Sequence, residues 1–154
     1  MSIMDAKLEF FDGVTITAIS GATQTGTNVV NIDNGASIDA WGSTITPDIG
    51  EGGGLIANFE VGTAFSSSNS FKCKVYHDTS STVTSGSVLG EVTFGSGATA
   101  HTNSAGVAGA RKGVRLPAGI CNKWIGVQIS MVTGASGAGT LDAWLSLDHE
   151  TPTR

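Results

Sequence analysis

The feature that most constrains this chain is a strict period of two in its apolar residues. In 55–61, Leu55, Ala57, Phe59 and Val61 share one face, with Asn58 and Glu60 on the other. In 71–78, Phe71, Cys73 and Val75 alternate with Lys72, Lys74, Tyr76 and Asp78. In 123–133, Ile125, Val127, Ile129 and Met131 alternate with Trp124, Gln128 and Ser130. In 140–148, Leu141, Ala143, Leu145 and Leu147 alternate with Asp142, Trp144, Ser146 and Asp148. Successive side chains of a strand point to opposite faces, so this pattern specifies half-buried strands and would scatter apolar groups around a helix.

Weaker segments fit the same scheme. They are 7–11, 14–19 (Val14, Ile16 and Ala18 on one face), 27–33, 88–94 and 113–117. Between them lie Gly, Ser and Thr, which make up 57 of the 154 residues. Gly and Thr are poor helix formers, and charged residues are only 14%, which excludes helical bundles and coiled coils. Hydrophobic residues at 40% and a formal charge of −5 exclude a disordered chain. The expectation is an all-β domain: a sandwich of about eight antiparallel strands, in a single domain over 1–154 with short flexible ends. The least regular stretch, 34–54, contains Trp41, Pro47 and Glu51-Gly52-Gly53-Gly54, and reads as a long loop with a short helical turn near 37–41. The Gly/Ser/Thr-rich stretches 20–28, 79–87 and 95–110 read as loops.

Chemistry is sparse. His77, His101 and His149 belong to no metal-ligand spacing, and no G-x-S-x-G elbow is present. The Gly-rich runs precede no helical pattern, so the helix N-terminus of a phosphate loop is missing. Asp33-Asn34-Gly35 and 48–51 do not match an EF-hand and read as Asx turns. The expectation is no enzyme, no metal and no cofactor. Cys73 and Cys121 read as reduced thiols. Residues 1–11 lack the apolar core of a signal peptide, and no window approaches 18 apolar residues, so no membrane partner is expected and the chain reads as cytoplasmic. An acidic pI of about 4.9 argues against nucleic acid.

The charge is uneven. Residues 1–60 carry −7, whereas 61–141 carry +4. The basic run Arg111, Lys112 and Arg115 is a candidate protein interface, because charge complementarity orients partners. Trp124 and Trp144 lie opposite the most apolar faces of their strands, which makes them candidates too, since Trp is enriched at interfaces. A sugar platform formed by Trp41, Trp124 or Trp144 is the alternative, although aromatic content is only 6%.

Taken in order, the segments AKLEFFDGVTITA (6–18), TNVVNID (27–33), DIGEGGGLIANFEVGTAF (48–65), FKCKVYHDTS (71–80), GVRLPAG (113–119), KWIGVQISMVTG (123–134) and GTLDAWLSLD (139–148) resemble the capsid cement proteins, also called decoration or stabilisation proteins, of short-tailed DNA phages. VRLPAG, followed by a strand with an aromatic and a Gly-rich hairpin, is the most telling part. The resemblance leaves out 95–108 and the polar tail. It implies a jelly roll made in the bacterial host cytoplasm and mounted on the exterior of the virion. There it would bind the major capsid protein, as a homodimer ahead of a homotrimer, and clamp neighbouring subunits. The alternative is a β-sandwich carbohydrate-binding or receptor-binding module.

Overall fold

A computed structural model describes residues 9–16, 23–31, 38–40, 43–45, 55–64, 70–83, 85–95, 108–117, 124–133 and 139–147. Among them the regular structure is all strand: β1 (Glu9–Thr15), β2 (Thr23–Thr25), β3 (Val30–Asn31), β4 (Ile38–Ala40), β5 (Ser43–Ile45), β6 (Leu55–Thr63), β7 (Ser70–Asp78), β8 (Ser87–Phe94), β9 (Arg111–Arg115), β10 (Trp124–Thr133) and β11 (Thr140–Leu147). No helix there is long and apolar enough to cross a membrane.

Two antiparallel sheets carry the fold. Sheet A has the order β1-β11-β6-β9, and sheet B the order β2-β10-β7-β8, with β3 also on β10. A separate hairpin pairs β4 with β5. Set that hairpin aside and count β2 and β3 as one interrupted strand. The pairings are then nested: β1 with β11, β2/β3 with β10, β6 with β9, and β7 with β8. The sheet interiors meet in one core, in which Phe59, Val61, Leu141 and Ala143 of sheet A join Phe71, Val75, Phe94, Ile125, Val127 and Ile129 of sheet B.

The long alternating segments become β6, β7, β10 and β11 with the expected residues inside. Leu55 is only partly buried, and the side chains of Met131 and Leu147 lie outside the described residues. Near the N-terminus, β1 runs through Gly13, whose φ of 55° belongs to a bulge between Phe11 and Val14. The Asp142 carboxylate accepts the Gly13 amide and fixes that conformation.

Both open corners of the sandwich are stitched, which blunts the sheet edges. At one, the Asn28 amide donates to Phe10 O at 3.3 Å and Gln24 Nε2 to Thr15 O at 3.2 Å. At the other, Lys112 Nζ donates to Thr93 O at 2.5 Å.

Some local expectations fail. Of the stretch 37–41, expected to hold a short helical turn, the described residues 38–40 are instead the strand β4, where Ile38 pairs with Ile45 and the β-branched residues suit an extended chain. Thr23–Thr25, within the expected loop 20–28, adds to β10, whereas among the described residues of 27–33 the strand is Val30–Asn31. The strand expected over 113–117 begins earlier, at Arg111, and ends before the buried Leu116. Asp78, expected outside, is 9% exposed, because the chain after β7 folds back over sheet B. The expected flexible ends, Trp41, Cys121, His101 and His149 lie outside the described residues.

Candidate functional site

The outer face of sheet A is built by cross-strand register. Trp144 on β11 stands between Glu9 on β1 and Asn58 on β6, and Asn58 stands opposite Gly113 on β9. Asp142, Glu60 and Arg111 form the neighbouring row. Strand alternation places all these side chains outward, opposite the core set.

The Arg111 guanidinium lies 5.6 Å from the centroid of the Trp144 ring, and its Nη2 is 2.6 Å from Glu60 Oε2. A cation over an indole face is attracted by the ring quadrupole, while a carboxylate beside it fixes the plane of the fork. The pair is open to solvent, with 68% of the Arg111 side chain exposed. Asn58 Nδ2 donates to Ser146 Oγ at 2.7 Å and holds the next row. Around the indole lies a depression of about 470 Å³, lined by the carboxylates of Glu9, Asp12, Glu60 and Asp142 with Phe11 and Arg111. Four carboxylates against one guanidinium give its lining an excess of acidic groups.

The structure brings Arg111 and Trp144 together but divides the other candidate residues. Arg115 lies on the outer face of β9, opposite Ile56. Lys112 points the other way, with its ammonium 5.4 Å from the buried Phe94 ring. Trp124, half-buried, belongs to sheet B, opposite Asp78 and Asn31. The run Arg111, Lys112 and Arg115 is therefore two outward cations and one that closes a corner.

Three further titratable groups, His77, Cys73 and Asp78, belong to sheet B rather than to this face. His77 is buried at the end of β7. Cys73 is a free thiol in the core, and burial pushes its pKa far up, so it is a poor nucleophile. The Asp78 carboxyl is held below the usual range, first by the Ser80 amide and then by Thr79 and Ser85, against a partial burial that acts the other way. Among the described residues no three His, Cys, Asp or Glu side chains are grouped to hold a metal ion.

Sequence reasoning missed Glu9, Asp12, Glu60 and Asp142 as members of a face. They come from β1, β6 and β11, and only the β1-β11-β6 order unites them. Fold and face together define a small all-β double-sheet protein with an acidic surface centred on tryptophan. No protein-family model matches the chain, and no curated protein matches it significantly.

Proposed function

We propose that this protein is a jelly-roll capsid cement protein. It binds the outside of an icosahedral phage shell and bridges neighbouring major capsid protein subunits, as a homodimer ahead of a homotrimer. The observation that carries the reading is the nested strand pairing, first with last through fourth with fifth. This is the order of a hairpin rolled into two sheets, an architecture used by capsid and lectin domains. It supports the fold that the segment resemblance implies.

Cementing needs no catalytic group. A protein that binds only the assembled shell stabilises it by mass action, and many copies on one shell reinforce the effect. The described groups suit such a role: a sealed apolar core, blunted sheet edges, and outward Arg111, Arg115 and Trp144 on one sheet. The test is to add the purified protein to shells that lack it. Saturable binding at a fixed number of copies per shell, with a raised melting temperature, is expected. Absence of binding would remove the reading.

The setting of Trp144 favours a second reading, a carbohydrate-binding or receptor-binding module. A half-buried indole beside carboxylates over a depression can stack on a sugar and accept its hydroxyls. A glycan array with no signal, or signals unchanged by Trp144→Ala, would count against it.

A further inference from the structure

The chain that joins β7 to β8 does not simply turn. After Asp78 it passes through residues 79–83, almost wholly polar, and lays Val83 on the outer face of sheet B. Val83 is fully buried although it is β-branched and held at φ 45°, a region such residues rarely occupy. It sits on Gly126 of β10, where an added Cβ would lie 3.1 Å from Val83 Cβ and 3.2 Å from Val29 Cγ1. Gln128 Nε2 donates to Val83 O at 3.1 Å, and Gln128 is itself buried beneath this contact. The return is closer still: a Cβ at Gly86 would lie 2.2 Å from His77 O.

The segment's own amide bonds are local. The Ser80 amide donates to Asp78 Oδ1 at 3.1 Å, Thr82 N to Ser80 Oγ at 3.3 Å, and Val83 N to Ser80 O at 3.2 Å. None of these three amides joins a sheet ladder. The ladders of β10 with β7 and of β7 with β8 run beneath without them. The segment is therefore tied to the sandwich at its tip by one side chain and one carbonyl, in a disfavoured backbone conformation.

We infer that residues 79–83 form a strap that opens as a unit while the sandwich stays folded, and so uncovers Gly126 and Gln128 in the middle of sheet B. Elements with few buried apolar contacts and local hydrogen bonds open well below the global unfolding free energy, and Val83 is the one apolar side chain of this segment. The inference is independent of whether the protein binds capsids.

Residue-resolved hydrogen exchange over a series of low urea concentrations tests it. The amides of Ser80, Thr82 and Val83 are expected to exchange at least about 100-fold faster than those of Val127 and Ile129, with no dependence on urea. Gly126→Ala, whose methyl displaces Val83, should speed the strap amides about 10-fold more and leave Val127 and Ile129 within about 3-fold of their former rates. Val83→Gly, which accepts the φ but removes the anchor, should do the same. Strap amides as slow as those of β10, with the same urea slope, would overturn the inference. If Gly126→Ala does not fold, the wild-type urea series alone decides.

Discussion

Gly90 of β8 faces Val114 of β9 so closely that a Cβ at Gly90 would stand 2.5 Å from Val114 Cγ2. This contact brings an edge of sheet B against an edge of sheet A, beside the bond from Lys112 to Thr93. Val114 is stiff at χ1 and cannot swing aside cheaply. Gly90→Ala should therefore destabilise the fold by about 1–3 kcal/mol through overpacking, read as a lower urea midpoint. An unchanged midpoint would mean that the corner is loose.

Phe94 shares that corner. Its ring stacks on Phe71 at a centroid distance of 4.9 Å and lies under the Lys112 ammonium. Phe94→Ala should cost about 3–5 kcal/mol in chemical denaturation, the range for a buried aromatic. A cost below about 1 kcal/mol would contradict the burial assigned to it.

The three cations of 111–115 should behave differently. Arg111→Glu and Arg115→Glu alter an exposed face, so each should change stability by no more than about 1 kcal/mol. Lys112→Glu places a carboxylate against Phe94 and Thr93 O and should destabilise more than either. If shells bind through this face, the two arginine reversals should weaken binding and alter its salt dependence, because screening acts on exposed charge. Equal stability losses at all three positions would refute the division.

Acid should act through Asp78. Its carboxyl is held below the unfolded value of roughly 3.9 by hydrogen bonds to the charged form. The stabilisation is thus complete above that pH and is lost as pH falls through the folded value. The difference in melting temperature between wild type and Asp78→Asn should be constant from neutral pH down to about 4 and then shrink. A difference that grows in acid would reverse the assignment.

Cys73 should be silent to thiol reagents. In a Cys121→Ser background, labelling at pH 8 should wait for denaturant, because the remaining thiol is buried and its ionisation is suppressed. Rapid labelling of the native protein would show that the core opens.

How much of this was legible in the sequence depends on the length of each signal. β6, β7, β10 and β11 span 8–10 residues each, enough for alternation to name their inner faces. β2, β4 and β5 have three residues each and carry no period, so pairing alone defines them. Val83 is a lone apolar residue in a Ser/Thr run, and nothing local signals that it is buried on Gly126. Lys112 looked like its neighbours because β9 starts earlier than the apolar residues suggest, and strand parity then turns it inward. The face around Trp144 draws on four strands that only the sheet order brings side by side.

The most direct test of the central claim is the thermal stability of purified shells that lack this protein, measured with and without it added back. The account predicts binding that saturates at a fixed number of copies per shell, a higher melting temperature, and density on the outer surface by electron microscopy. Failure to bind, or binding that leaves the melting temperature unchanged, would contradict it.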